Sequence, residues 1–327
     1  MITLTGFLGA GKTTLLRKLL QSRDFGEAAV LVNEFGEIGL DNLMFETISP
    51  DVLLLDSGCV CCQIRGELKQ AIVDLLDRRS SGDLPPFQKI VIETTGLAEP
   101  APLLSTFTND PLLASKIVPG PVLVVVDALT GSQVQNQRTE WYAQLCSADV
   151  IAVSKLDMAD IALVDLANEL KSLNPMAYVA HVGDIGTIIH SLQKDRQAPR
   201  DWALARNVDQ GGRHGQVETF SLVFDKAVDW TPFGVWLSAI LHYHGSKILR
   251  VKGHLNTNGP GPVVLNGVQH VLHMPEHMSY WPTRDRRSKI VFIVSGMEPD
   301  ALRRSALQIL ELASEADIET TALHVPS

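Results

Sequence analysis

The sequence predicts an α/β fold in which a domain with a mainly parallel, helix-flanked β-sheet is followed by a smaller α+β domain with a mostly antiparallel sheet. Three observations lead to this prediction. Short apolar, β-branched runs recur through residues 1–194 with amphipathic segments between them. That rhythm is lost in residues 195–215. Beyond them, several strand-like runs follow one another, with helical segments at only two points.

The predicted strands of the first domain are apolar throughout rather than alternating. This pattern indicates burial on both faces, as in a parallel sheet covered by helices. In chain order the strands are MITLT, AAVLVN, DVLLLD, QKIVIET, PVLVVVDA, DVIAVS and AYVAHV. Amphipathic segments predicted to be helices include Gly11 to Ser22, Gln63 to Ser80 and Ile161 to Leu173. Residues 1–194 are therefore assigned to one domain.

The second domain is predicted to span residues 216–327. The stretch before it, DRQAPRDWALARNVDQGGRHG, is rich in Arg, Asp, Gly and Gln, which is typical of a linker. The predicted elements of the domain are QVETFSLVFD, a helix from Pro232 to Tyr243, KILRVKGHL, PVVLNGVQHVLHM, KIVFIVSG and a closing helix from Pro299 to Ala313. Strands in direct succession favour an antiparallel sheet.

The composition excludes several classes of protein. Hydrophobic residues make up 45% and charged residues 20% of the 327 positions, as in an ordinary globular protein. The net charge of -9 disfavours a nucleic-acid surface, which needs clustered Lys and Arg. The longest apolar run is too short to cross a bilayer, and the start MITLTGF does not resemble a signal peptide. We therefore expect a cytoplasmic protein with neither nucleic acid nor a membrane as partner.

A phosphate-binding loop directly follows the first predicted strand. The residues GFLGAGKT, from Gly6 to Thr13, fit G-x-x-x-x-G-K-[ST] between a strand and a helix, as the motif requires. Glycines let backbone N–H groups face phosphate oxygens, and the helix presents its positive end to the same anion. Lys12 is predicted to act in catalysis at the β- and γ-phosphates, while the Thr13 hydroxyl holds Mg²⁺. The motif assigns residues 1–194 to a domain of the P-loop NTPase type. The predicted nucleotide-binding residues here are Gly6, Gly9, Ala10, Gly11, Lys12, Thr13 and Thr14.

Two later strand ends complete the predicted nucleotide site. In IVIETTG, the catalytic candidate Glu93 can hold Mg²⁺ directly or through water, and Gly96 can donate its N–H toward the γ-phosphate. The stretch SKLD, with Ser154, Lys155 and Asp157, is close to the N-K-x-D pattern by which G-proteins read guanine. A carboxylate at Asp157 accepts from both the ring N–H and the exocyclic amine of guanine, which adenine cannot supply together. GTP is therefore favoured over ATP.

The motifs together carry a family resemblance. TGFLGAGKTTLL, NEFGEIGLD, GCVCC, ETTGLAEP and SKLD, followed by LRVKGHL and GVQHVLH, resemble the CobW family of P-loop GTPases from Thr3 to about Ser295. The resemblance implies a GTPase linked to metal delivery and metallocofactor assembly, akin to the accessory GTPases of urease and hydrogenase maturation. It also implies a client metalloprotein as partner and a CobW C-terminal-like second domain.

The family's C-x-C-C hallmark stands here as Cys59, Cys61 and Cys62. Thiolates are soft donors suited to Zn²⁺ or Cu⁺, and three of them leave a fourth tetrahedral position open. An incomplete set of ligands suits metal transfer better than storage. We expect Zn²⁺ at this loop, with Co²⁺ as a metal that the sequence leaves open. The alternative to metal binding is a redox or packing role.

The acidic stretch NEFGEIGLD follows the second strand, where a nucleotide-sensing switch loop is expected. Its Glu34, Glu37 and Asp41 are candidates for an oxygen ligand beside the thiols, or for orienting Mg²⁺ and the attacking water, with Glu37 as a catalytic candidate. An ordinary solvated loop is the alternative. If the stretch moves between GTP and GDP states, metal affinity changes with nucleotide. Some members of the family have Glu just before the Asn of this stretch, where this chain has Val32.

The remaining metal-ligating side chains have less informative spacing. Cys146 stands alone and is predicted to be a small buried apolar residue. Six histidines of the second domain lack a clear ligand spacing, so surface or interface positions are favoured over an auxiliary metal site. These six are His242, His244, His254, His270, His273 and His277.

These observations favour a Mg²⁺-dependent GTPase that binds GTP and GDP and delivers zinc to a client protein. Its intrinsic hydrolysis is expected to be slow, because no arginine finger is evident in the sequence. Client binding or a homodimer can supply the missing group. Two other functions stay open: an ATP-using P-loop kinase of small molecules, in which Asp157 is incidental, and a nucleotide-gated scaffold whose thiols bind no metal.

Overall fold

A computed structural model of the chain describes residues 1–32, 54–56, 64–129, 139–194 and 217–310. The chain divides into two compact units. The first comprises Met1–Ala167 and Ala177–Asp195, and the second Asn168–Met176 and Arg196–Ser327. The domain limits read from the sequence, at residues 194 and 216, stay a prediction. Among the described residues, no helix combines the length and the apolar character needed to span a bilayer.

The first unit contains a seven-stranded sheet with the order β3-β2-β4-β1-β5-β6-β7, counted over the described residues. Every pairing in it is parallel. The strands are β1 (Ile2–Gly6), β2 (Ala28–Val32), β3 (Leu54–Asp56), β4 (Lys89–Glu93), β5 (Val122–Asp127), β6 (Val150–Ser154) and β7 (Tyr178–His181). They coincide with the seven apolar runs, and the predicted parallel α/β class is confirmed.

Helices cover both faces of this sheet. Val30 packs in a cluster with Leu16 of one helix, whereas its neighbour Leu31 packs in another cluster with Ile72 of a different helix. Successive strand residues thus face opposite layers, which explains why the strands are apolar throughout. The helices of this part of the chain are α1 (Lys12–Gln21), α2 (Ile64–Ser81), α3 (Pro100–Asn109), α4 (Pro111–Lys116), α5 (Thr139–Ser147), α6 (Leu163–Leu173) and α7 (Ile185–Lys194).

The central strand β1 decides where the functional loops lie. It pairs with β4 on one side and β5 on the other, aligning Leu4 with Glu93 and with Leu123. Because the sheet is parallel, the loops after its strands leave along one common edge, where α/β proteins bind their ligands. The loop that follows β1 therefore lies between the loops that follow β4 and β5.

The second unit contains an antiparallel sheet with the order β11-β10-β9-β13-β8, and a short strand β12 also pairs with β10. Two helices pack on it around a core in which Phe220 stacks on Phe292 and Trp236 contacts Phe292 edge to face. This confirms the predicted α+β class. The elements are β8 (Val217–Phe224), α8 (Trp230–His244), β9 (Ile248–Leu255), β10 (Val263–Val268), β11 (Val271–Leu272), β12 (Glu276–His277), β13 (Ser288–Ser295) and α9 (Pro299–Leu310).

The second unit differs from the sequence prediction in several details, one of which is the short strand β12, which no predicted element includes. The run PVVLNGVQHVLHM is two strands, β10 and β11, which pair across a turn where Gln269 has a φ of 50°. Helix α8 begins two residues before the predicted start, because the Asp229 side chain accepts a hydrogen bond from the N–H of Thr231 and caps the helix. The last predicted residues of the closing helix, 311–313, lie outside the described residues.

A partly buried histidine lies on β9. The Nε2 atom of His254 is 3.0 Å from the Arg287 carbonyl oxygen, and its ring contacts Trp281 edge to face. Burial lowers the pKa of His254 from its ordinary 6.5 to about 4, with Lys289 adding to the effect while the Arg287 carbonyl and Asp285 oppose it. Since the folded state disfavours the imidazolium, the unfolded chain binds more protons between about pH 4 and 6.5.

We predict that this histidine makes the second unit less stable in mild acid. The contribution of the neutral His254 to the free energy of unfolding is fully present above about pH 6.5 and is lost as the pH falls toward 4. Between pH 7 and 5 the free energy of unfolding should fall by about 1 to 2 kcal/mol more in the wild type than in His254→Gln. Urea unfolding followed by tryptophan fluorescence measures this. The exposed His242→Gln on α8 is the control, and equal pH dependence in all three proteins would contradict the assignment.

Candidate functional site

The phosphate loop begins with a glycine that no other residue can replace without distortion. Gly6 ends β1 with a φ of 142°, and a Cβ atom there would lie 2.3 Å from the carbonyl oxygen of Val125 on the neighbouring strand. The loop then enters α1, whose N-terminus carries no side-chain cap and no acidic residue in its first turn. A helix start of this kind offers its N–H groups to an anion.

Lys12 and Thr13 are the first two residues of α1. Lys12 points toward the phosphate loop, and Thr13 points toward β4. The Nζ atom of Lys12 donates hydrogen bonds to the carbonyl oxygens of Gly6 at 3.0 Å and Phe7 at 3.4 Å. The Lys12 ammonium therefore lies over the loop, where phosphate oxygens are expected. Gly9 has positive φ in the middle of the loop, and Thr14 is exposed in the first turn of α1.

Thr13 and Glu93 meet although they are 80 residues apart in sequence. The Thr13 hydroxyl donates a hydrogen bond of 2.7 Å to Oε1 of Glu93, whose side chain at the end of β4 is buried. A hydroxyl and a carboxylate side by side are oxygen ligands of the kind that Mg²⁺ prefers. The donor set fits the cation predicted from the sequence.

The loop after β4 packs closely on the phosphate loop. A Cβ atom on Gly96 would lie 2.5 Å from the backbone nitrogen of Leu8, so that only glycine permits this approach. Gln144, a buried residue of α5, holds the same loop from the other side. Its Nε2 atom donates to the carbonyl oxygens of Gly96 at 3.2 Å and Ala98 at 2.9 Å. Sequence reasoning missed Gln144, because one glutamine in a helix carries no motif.

The predicted guanine-reading stretch also contacts the phosphate loop. The buried Ser154 hydroxyl donates a hydrogen bond of 2.6 Å to the carbonyl oxygen of Ala10. Asp157 is exposed in a short 3-10 turn, Leu156–Met158, just beyond. Lys155 forms an ion pair of 2.6 Å with Asp127, a buried residue at the end of β5 that sequence reasoning also missed. Its only signal is a carboxylate directly after the apolar run VLVVV.

The predicted residues of the zinc site are not among those that the structure describes, unlike the predicted Mg²⁺ ligands Thr13 and Glu93. Glu34, Glu37, Asp41 and the thiols of Cys59, Cys61 and Cys62 lie outside the described ranges. Within those ranges, no three His, Cys, Asp or Glu side chains are grouped as metal ligands. Cys146 is fully buried in α5, so the burial predicted for it is confirmed.

Two family models match the chain. The model described as CobW/HypB/UreG, nucleotide-binding domain, matches residues 1–181. The model described as cobalamin synthesis protein cobW C-terminal domain matches residues 217–310. The two matches correspond to the parallel and the antiparallel sheet.

Characterised relatives have related names. The zinc chaperone YjiA of Escherichia coli is 31% identical over 310 residues, which cover 92% of this chain and 95% of that protein. The zinc-regulated GTPase metalloprotein activator 1 of Schizosaccharomyces pombe is 29% identical, over 63% of this chain and 53% of that protein. The crystal structure of Zn(II)-bound YjiA GTPase from E. coli superposes with a TM-score of 0.68 at 27% identity, covering 94% of this chain and 98% of that one.

We predict that Gln144 holds the loop of residues 94–99 in place. Replacing it by leucine removes the donor shared by the two loop carbonyls, so amide hydrogen exchange in residues 94–99 should become about tenfold faster. Mass spectrometry of the exchanged protein measures this. Gln70→Leu is a matched control, because Gln70 is a helical glutamine whose amide bonds Asp74 at the exposed surface. Unchanged exchange in Gln144→Leu would show that the loop does not depend on this side chain.

Proposed function

The chain belongs to the CobW/HypB/UreG family, and from this premise we propose that it is a GTP-hydrolysing metallochaperone that carries zinc to a client protein. The hydrogen bond between Thr13 and Glu93, at the mouth of the phosphate loop, supports the hydrolytic part of the proposal. The names of the relatives, which describe zinc chaperones and a zinc-regulated GTPase, support the choice of nucleotide and cargo.

Hydrolysis in this proposal is mainly positioning and charge stabilisation. Lys12 turns from the loop carbonyls to the β- and γ-phosphates, and the N–H groups at the start of α1 bind phosphate oxygens. Thr13 and Glu93 would hold Mg²⁺, which neutralises charge on the phosphate oxygens. Glu93 or Glu37 arranges the attacking water, and Gly96 donates its N–H to the γ-phosphate. No arginine finger is evident, so the unaided rate is slow.

The base is read by the turn that follows β6. Ser154 fixes the start of this turn on the phosphate loop through the Ala10 carbonyl, so the position of the base site is tied to the position of the phosphates. The exposed carboxylate of Asp157 then accepts hydrogen bonds from the ring N–H and the exocyclic amine of guanine.

The register of the parallel sheet is the observation that most supports coupling between nucleotide and metal. Asp56, the last residue of β3, aligns with Val32 of β2, and Val32 aligns with Glu93 of β4. Strands are about 4.8 Å apart, so the backbones of Asp56 and Glu93 are separated by about 10 Å. Cys59 follows Asp56 by three residues, a reach of about 11 Å at most. Val32, the residue before the acidic stretch, aligns with both.

We therefore assign Cys59, Cys61 and Cys62 to the zinc cargo, with an oxygen ligand from Glu34 or Glu37. Three soft ligands from one short loop leave the metal open to a client's ligand, which suits transfer. A change of the acidic stretch with nucleotide would then change the affinity for zinc. The client metalloprotein or a second copy of the chain completes the hydrolytic site, and the cytoplasm is the expected compartment.

We predict that zinc affinity depends on the bound nucleotide. Titration of the protein with Zn²⁺ in the presence of GDP and of a non-hydrolysable GTP analogue should give dissociation constants that differ about tenfold. Replacing Cys59, Cys61 and Cys62 together by alanine should abolish one equivalent of tight zinc binding. Cys146→Ala is the matched control, because this thiol is buried in α5 and does not belong to the motif.

Two results would contradict the metallochaperone proposal. Equal zinc affinities in both nucleotide states would reject the coupling. Unchanged zinc stoichiometry in the triple variant would reject the thiol site and favour a nucleotide-gated scaffold.

We also predict that the protein prefers guanine nucleotides. Unlabelled GTP should displace a bound fluorescent nucleotide at concentrations at least tenfold below those of ATP, because Asp157 can satisfy both guanine donors. Asp157→Asn should lose this preference, because a carboxylate has two acceptor oxygens whereas the amide has only one. Equal competition by ATP in the wild type would favour the small-molecule kinase instead.

A further inference from the structure

A buried carboxylate beside the base-reading turn has no role in the function proposed above. Asp127 ends β5 and aligns with Ser154 on β6, and only 6% of its surface is exposed. A charge buried to this extent is costly unless it is paired and hydrogen-bonded. Both of its oxygens have partners, and each partner lies in a turn at the carboxyl edge of the sheet.

The first partner holds Asp127 itself in place. Oδ1 accepts a hydrogen bond of 2.8 Å from the backbone N–H of Leu129, so the side chain closes the turn that follows its own strand. Oδ2 then accepts from Nζ of Lys155 at 2.6 Å. The carboxylate thus presents a fixed anion to the lysine of the S-K-x-D stretch.

The second partner has a backbone conformation that needs support. Lys155 has a φ of 55°, in the left-handed region that residues with a Cβ atom disfavour. It is the residue from which the 3-10 turn Leu156–Met158 starts. Asp157 lies in that turn, so the direction of its carboxylate follows from the conformation of Lys155.

We propose that Asp127 is a positioning residue for recognition of the nucleotide base, acting through its ion pair with Lys155. This rests on the proposed guanine specificity. The pair holds Lys155 in the left-handed conformation, and that conformation aims the Asp157 carboxylate at the ring N–H and the exocyclic amine of guanine. Without the pair, the turn relaxes, and the carboxylate loses the alignment that it needs to accept from the exocyclic amine and the ring N–H at once.

The test compares three diphosphates that differ only in the base. GDP offers both hydrogen-bond donors, the ring N–H and the exocyclic amine. Inosine diphosphate lacks the exocyclic amine, and ADP does not offer the two donors together. Isothermal titration should show that the wild type binds GDP about tenfold more tightly than inosine diphosphate. In Asp127→Asn, which keeps the shape of the side chain and its bond to Leu129, this ratio should fall to nearly one. Lys155→Met should lower the ratio equally, and the double variant should lower it no further.

Asp149→Asn is the matched control. Asp149 is a buried aspartate whose side chain accepts a hydrogen bond from the backbone of Val122, at the opposite end of β5. Its replacement should lower thermal stability without changing the ratio of the GDP and inosine diphosphate affinities.

The possible results distinguish this inference from the proposed guanine specificity on which it rests. A lowered melting temperature with an unchanged ratio in both Asp127→Asn and Lys155→Met would mean that the pair is only structural, and would overturn the inference. A wild type that binds ADP as tightly as GDP would overturn the guanine specificity and the inference together. The inference would be established if the ratio of GDP to inosine diphosphate affinity fell to nearly one in Asp127→Asn and in Lys155→Met but kept its wild-type value in Asp149→Asn.

Discussion

The site depends on the burial of β1 in the middle of a parallel sheet. Its neighbours β4 and β5 supply Glu93 and Asp127, and the next strand beyond β5 supplies Ser154. Because all these strands point the same way, their polar terminal residues gather at one edge around the phosphate loop. The close approach of Gly6 to Val125 fixes where that loop begins. The chemistry of the site therefore follows from the register of one strand.

The phosphate loop is held from several directions by short contacts to its backbone. Ser154 bonds the Ala10 carbonyl, Lys12 bonds the carbonyls at the start of the loop, and Gly96 packs against Leu8. Such contacts reduce the conformational freedom of a glycine-rich segment, which would otherwise lose much entropy on binding a ligand. The Ser154 contact also connects the phosphate loop to the turn that is proposed to read the base.

The sequence predicts those parts of the molecule that depend on local patterns. The apolar runs predict the strands, and the predicted helix after the loop motif starts at Gly11, one residue before α1 begins at Lys12. Both patterns are complete within a few residues. Gln144 and Asp127 could not be predicted in the same way. Their partners lie 48 and 28 positions away in sequence, and a single polar residue in a helix or at a strand end does not by itself indicate which residue it contacts. The metal assignment of Cys59 rests on the motif and the sheet register, and it stays a prediction.

The order of the strands also has a consequence for synthesis on the ribosome. β1 is made before either of its pairing partners, β4, which ends at Glu93, and β5, which begins at Val122. Contacts between residues so distant in sequence form late, because a long loop must close before they are gained. The nascent phosphate loop therefore emerges without a sheet to support it, and translation must pass Asp127, the end of β5, before β1 can be enclosed.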